Sequence, residues 1–208
     1  ENMRDISLLL AQGALPECKI IMLHHNKIGD EGLIAFSQAL VEGALPECAR
    51  VDFGYNKIGS GGFAFFADAC AKGALAQCRY IIFRNNKIDC AGLASLANAC
   101  ANGALEQCIE LDLSFNEIGD DGLTTFAKAL KEVGRNGNRR LPQCRELRLS
   151  GNKIGDIGLT SLAVACAEGA LAQCQELYLT YNDFQEAGLA ALAKTISAGA
   201  LPVLNMIS

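Results

Sequence analysis

Ten cysteines and the adjacent pair His24–His25 have the widest chemical range of any side chains in this chain. Thiols can ligate metals, form disulfides or act as nucleophiles, and an imidazole can serve as base or ligand. Spacing decides among these uses. Cys18, Cys48, Cys78, Cys108, Cys144 and Cys174 recur at one position of a repeating pattern, and Cys70, Cys100 and Cys166 at a second. There is no Cys-x-x-Cys pair, nor a Cys/His cluster with metal-ligand spacing. A column of cysteines standing where apolar residues belong is a packing column, because a free thiol behaves as a small hydrophobe. All six thiols of the first column are therefore expected to be buried and reduced. Cys90, which replaces a turn residue, is the expected exception. Reduced thiols imply a reducing, cytoplasmic compartment. His24 and His25 have no nucleophile or paired carboxylate in their own unit, and the chain has no phosphate-binding glycine loop and no converging Ser/His/Asp set. The expectation is a protein without catalytic residues, metal or cofactor, and with no small-molecule substrate.

What positions these residues is a repeat. Asn26, Asn56, Asn86 and Asn116 follow one another at 30 residues, Asn152 comes 36 later, and Asn182 returns to 30. The reading is a single repeat domain over residues 1–208. A partial unit spans 1–14; full units span 15–44, 45–74, 75–104, 105–140 (with an insertion at 135–140), 141–170 and 171–200; a partial unit spans 201–208. Terminal units of a stacked repeat normally carry polar caps. Neither end here reads as one, so the chain is expected to be part of a longer polypeptide.

Within a unit the hydrophobic period changes. Ile109-Glu110-Leu111-Asp112-Leu113 alternates as a short strand with one buried face does. Leu123, Phe126, Ala127 and Leu130 then fall on one helical stripe. The asparagine between them can donate and accept at once, so a column of such amides can satisfy backbone groups left over where pairing ends. Asp30, Ser60, Asp120 and Asp156 precede the helices and are expected to cap them. Glycines at 43, 73, 103, 169 and 199 close them in a left-handed turn. Strands pair at about 4.8 Å and helices at about 8–10 Å, so such a stack must curve into an α/β horseshoe with a concave parallel sheet and convex helices.

Half of the residues are hydrophobic and the net charge is −5. That argues against a nucleic-acid surface, which needs a clustered basic face. No apolar run approaches the roughly 20 residues that span a bilayer, so no membrane association is expected.

The cores with the form of Leu147, Leu149, Asn152 and Ile154, followed by Gly155-Asp156-Ile157-Gly158-Leu159, resemble leucine-rich repeats, and specifically the ribonuclease-inhibitor-like subclass. The resemblance covers essentially the whole chain. It implies the curved solenoid and a role in binding protein partners. The subclass also includes activators of Ran-type GTPases and structural components of larger assemblies, which stand as alternatives. The uniform 30-residue unit and the mild acidity depart from true ribonuclease inhibitors.

Core positions are committed to packing, so a partner must read the outward side of the strands. Exposed aromatics and arginines are the side chains that most often anchor interfaces. On that ground His24, Tyr55, Tyr80, Arg84, Phe115, Arg148, Tyr178 and Tyr181 are the candidate partner-binding residues, with Arg135, Arg139 and Arg140 of the insertion as a possible loop contact. Lys27, Lys57, Lys87 and Lys153 form a column that Glu117 and Asp183 interrupt, and it reads as a solvated row.

Overall fold

The computed structural model describes residues 8, 10, 12–13, 15–132 and 140–208. Strands and helices alternate along them: β1 (Ile20–Met22), α1 (Asp30–Val41), β2 (Arg50–Asp52), α2 (Ser60–Ala71), β3 (Tyr80–Ile82), α3 (Cys90–Ala101), β4 (Glu110–Asp112), α4 (Asp120–Lys131), β5 (Glu146–Arg148), α5 (Asp156–Ala167), β6 (Glu176–Tyr178), α6 (Glu186–Ser197) and β7 (Met206–Ile207). The strands form one parallel sheet in chain order. The shorter strand spacing puts that sheet on the concave side of the curved leucine-rich-repeat solenoid expected from the sequence, with the helices on the convex side.

The middle residue of each strand faces the core. Val51, Ile81, Leu111 and Leu147 are fully buried and sit opposite one another in the register. Leu111 pairs with Leu147 even though the insertion separates them, so the extra residues leave the ladder without slipping it. Slippage by one residue would turn every buried side chain to water. The helices contribute the expected stripe: Leu123, Phe126, Ala127 and Leu130 are buried, and Phe63 and Phe66 close edge-on against Phe83.

The asparagine column works as read from the sequence, and across repeats. Asn116 donates its amide to the Leu113, Ser114 and Phe83 carbonyls and accepts from the Ile88 amide. Asn56, Asn86 and Asn152 repeat the arrangement. Each amide thus ties its own turn to the one before it.

The helix caps differ from expectation. Asp30, Ser60, Asp120 and Asp156 are the first residues of their helices, and the N-cap positions before them are glycines, which have no side chain to cap α1, α2, α4 and α5. Instead they reach sideways. The Asp120 carboxylate accepts from the Gly155 and Gly158 amides of the next repeat, at 2.7 and 2.8 Å, and Asp156 does the same for Gln185 and Gly188. Asp30 accepts from Gly59. Each acid therefore caps the following helix. The close approach explains the helical glycine of each unit: a Cβ at Gly62 would stand 2.7 Å from the Asp30 Cα. Among the described residues Asp89 alone caps its own helix, accepting from Ala91 and Gly92.

All ten cysteines are free. Cys48, Cys78, Cys108, Cys144 and Cys174 are buried, each thiol donating to the carbonyl two residues on. Burial pushes the Cys78 thiol up to about 12 and Cys174 up to about 11. Cys18 departs from the expectation for its column: it is only half-buried. Cys90 is half-buried as well. A thiol reagent near neutral pH is therefore expected to modify Cys18 and Cys90 first, and the other eight only on unfolding, since the reactive species is the thiolate. Peptide mapping after brief labelling checks this. Early modification of Cys108 or Cys144 would contradict the core assignment.

Candidate functional site

Three residues per strand leave two to face outward, and the turn after each strand adds two more. The outward strand positions are less open than the alternation implied. Asp52 and Asp112, at the outward end of their strands, are buried: their carboxylates fold back to accept the Gly54 and Ser114 amides, each at 2.9 Å. Ile82, between them in the register, is buried too. The exposed part of the sheet is thereby divided into two clusters.

The first lies over the early repeats. Tyr55 stacks on His25 with ring centroids 4.2 Å apart, and Arg84 lies 4.9 Å above the same Tyr55 ring. His24 meets Asp52 at 3.5 Å and His25 edge-on. Tyr80, half-buried on β3, takes Arg50 over its ring at 5.4 Å.

The second lies over the later repeats. Arg148 donates to Glu146 at 2.7 Å, lies 3.3 Å from a Glu110 oxygen, and covers the Tyr178 ring at 4.1 Å. The Tyr178 hydroxyl donates to Glu176. Burial opposes the Arg148 charge, but the Glu146 hydrogen bond and the nearby Glu110 outweigh it and hold its pKa up. Burial also pushes the Glu110 carboxyl up; Arg148 opposes this, while Glu146 and Asp112 add to it. Glu110, Glu146 and Glu176 were not among the sequence candidates. The signal for them was present, since Glu146 and Glu176 stand two residues before Arg148 and Tyr178 on the same strand face.

Glu110 makes the sheet face sensitive to pH. A carboxyl whose folded pKa is raised contributes stability that is present below its ordinary value and lost as pH rises through the folded value. Glu110→Gln is thus expected to raise the urea midpoint at about pH 7.5 while leaving it near that of the parent at about pH 4. Glu146→Gln, which weakens the half-exposed Arg148 pair, should lower stability at neutral pH by no more than about 1 kcal/mol. Parallel urea titrations at the two pH values check both signs.

Phe115 and Tyr181 stand at the turn edge, with centroids 6.5 Å apart. The glycine between them is required: a Cβ at Gly151 would lie 2.4 Å from the Phe115 ring, which rests across that position. His25, Tyr55, Asn85, Phe115, Gly151 and Tyr181 occupy one column, and all are left-handed, with φ between 54 and 67°. Glycine and asparagine accept that backbone readily and histidine is enriched there, whereas Tyr and Phe are not. Tyr181 is 81% exposed and Phe115 49%.

The sequence candidates therefore form separate groups: His24, Tyr55 and Arg84; Tyr80 with Arg50; Arg148 with Tyr178; and Phe115 with Tyr181. Asn85 stands between the Tyr55 and Phe115 groups along the turn column. Arg140 is half-buried, whereas Arg135 and Arg139 lie outside the described residues. Among the described residues no group of three or more His, Cys, Asp or Glu could hold a metal ion, and no helix is long and apolar enough to cross a membrane.

Residues 22–37, 109–127 and 145–163 match the family described as Leucine Rich repeat. No curated protein matches the sequence. Similar solved structures include a pollen receptor kinase 3 (14% identity, covering 80% of this chain and 64% of that one, TM-score 0.42). An internalin from Listeria monocytogenes is 20% identical over 92% of this chain and 48% of its own, with a TM-score of 0.46. A plant ice-binding protein is 13% identical over 95% and 75%, with a TM-score of 0.34. The chain spans less than two thirds of the first two. With the matched stretches falling in three of its units and the same Asn-centred turn tying each described unit to the next, the chain folds as a leucine-rich-repeat solenoid.

Proposed function

We propose that this chain is a protein-recognition module that binds a partner through its concave face and the adjoining turn edge. The observation that carries this reading is the turn column. A left-handed backbone costs an L-residue with a Cβ roughly 1–2 kcal/mol relative to its usual conformation. The chain also accepts that cost at Leu45, Leu75, Leu105, Leu141 and Leu171, where the side chains are buried in the core. Phe115 and Tyr181 accept it while remaining exposed, so packing within the fold does not explain them. Rigid aromatics presented beside arginine are the chemistry of an interface anchor. The strand, left-handed turn and helix of each unit support placement in the ribonuclease-inhibitor-like subclass. The free buried thiols support a reducing, cytoplasmic setting.

Asparagine already fills this column at position 85. Tyr181→Asn is accordingly expected to leave stability unchanged or raise it by up to about 1 kcal/mol, while weakening the complex with a partner captured and identified from the native source. Denaturation followed by circular dichroism, together with affinity measured by calorimetry, reads both. Unchanged affinity for Tyr55→Asn and Tyr181→Asn alike would move the contact away from this edge, towards the helix side on which a structural spacer would depend.

A further inference from the structure

The lysine column beside these turns read as a solvated row, yet its members differ in what they face. In the fifth repeat Lys153 is neutralised, its ammonium 3.0 Å from Glu117. Lys27, Lys57 and Lys87 are exposed, and among the described residues none has an acidic side chain within ion-pair distance. Their backbones are held in register: the Lys57 amide donates to the Ile28 carbonyl and the Lys87 amide to that of Ile58, each at 2.8 Å. One repeat therefore separates successive lysine backbones, a step of about 4.8 Å.

Carboxylates of the same repeats are engaged elsewhere. Asp30 accepts from the Gly59 amide, Asp89 from Ser60 and the α3 amides, and Asp52 from the Gly54 amide with His24 alongside. Arg84 adds a fourth unpaired cation, held over the Tyr55 ring. Directly beyond Lys87 the sign reverses. Glu117 takes the next place in the column, and Glu110, Glu146, Glu176 and Asp183 follow on the later repeats.

We infer that the edge of the first three repeats docks a short, extended acidic segment of a protein partner, its carboxylates over Lys27, Lys57, Lys87 and Arg84 and its apolar flank against the His25–Tyr55 stack. This deepens, and rests on, the recognition reading above. The basic row covers two repeat steps, about 10 Å, which about three or four residues of extended chain span. A long polyanion would run on into the carboxylates of the fourth repeat, so the pattern suits a bounded acidic motif and disfavours nucleic acid. Unpaired charges close together raise the local potential, whereas exposed pairs such as Lys153–Glu117 cancel.

The probe is a fluorescein-labelled oligoglutamate peptide, followed by fluorescence polarisation on the full chain. Saturable binding is expected that weakens between about 50 and 300 mM salt, as the screening length shortens. The Lys27→Gln/Lys57→Gln/Lys87→Gln variant should lose affinity by about tenfold or more, because charge complementarity carries the contact. Lys153→Gln, with its ammonium already paired, should change it less than about twofold. All four lysines are exposed, so each variant is expected to remain folded, which circular dichroism checks. Absence of saturable binding, or equal losses for the triple and Lys153 variants, would overturn the inference. So would binding of a single-stranded oligonucleotide or of phosphatidylserine vesicles as tightly as the peptide, which would mark a general anion surface. Lys128→Gln, on the exposed helix side, should leave peptide affinity unchanged. If the peptide fails to bind while a captured protein still depends on Phe115, the acidic-segment inference falls and the recognition reading stands.

Discussion

Replacing Leu111 and Leu113 together by alanine is expected to lower stability by about 4 kcal/mol or more, since each fully buried leucine truncated to alanine costs about 2–5 kcal/mol. Both side chains are completely buried at the centre of the solenoid, and Leu111 lies between Ile81 and Leu147 in the ladder. The cost has two parts, the apolar surface no longer removed from water and the cavity that neighbouring repeats cannot fill. Its consequence for cooperativity is equally specific. Each strand pairs only with adjacent strands, and each helix packs on the helix of the adjacent repeat. A chain of nearest-neighbour interfaces weakened at its middle unfolds as two blocks. Urea denaturation followed by circular dichroism should show one transition for the parent and two for the variant. A single transition with an unchanged midpoint would mean that the central repeat contributes little to coupling.

Truncating Phe115 to alanine is expected to weaken partner binding by roughly 2 kcal/mol or more, about thirtyfold in dissociation constant. Its ring is half-exposed, rests across Gly151 and approaches Tyr181, so it is the most central apolar side chain of the turn edge. Little stability should be lost with it, because the ring fills no part of the core. Relief of a left-handed aromatic does not arise in this variant, since alanine carries the same Cβ. Gln38, Asn98 and Lys128 on the exposed helix side serve as controls and should be silent. Affinity for the captured partner, with circular dichroism as the folding control, distinguishes the cases. Loss of binding from the helix-side changes with Phe115→Ala neutral would assign the contact to the convex surface.

Most of the architecture was legible in the residues themselves. Alternation in Ile109 to Leu113 marks a strand with one buried face, the spacing of Leu123, Phe126, Ala127 and Leu130 marks a helix, and the recurring asparagine marks the turn between them. Such patterns are local, and each repetition of the unit restates them. Burial of Cys48, Cys78, Cys108, Cys144 and Cys174 followed from the same logic, because a residue type repeated at a core position is packing material.

What only the tertiary structure decided is lateral. Asp120 caps the helix of the next repeat rather than its own, and Asp52 and Asp112 turn from the concave face to hold their own turns. Arg148 draws Glu110 from the neighbouring strand into its network, and Gly151 makes room for a ring from the repeat before it. The bonds made by Asp120 and Arg148 to their neighbours join residues more than thirty positions apart. Their existence depends on how far each unit is displaced against its neighbour and on which rotamer then finds a partner. Periodicity specifies the column in which a side chain stands. The direction in which it reaches is set by the competing acceptors, donors and rings that stacking brings within a few ångströms, and a single unit read alone does not contain them.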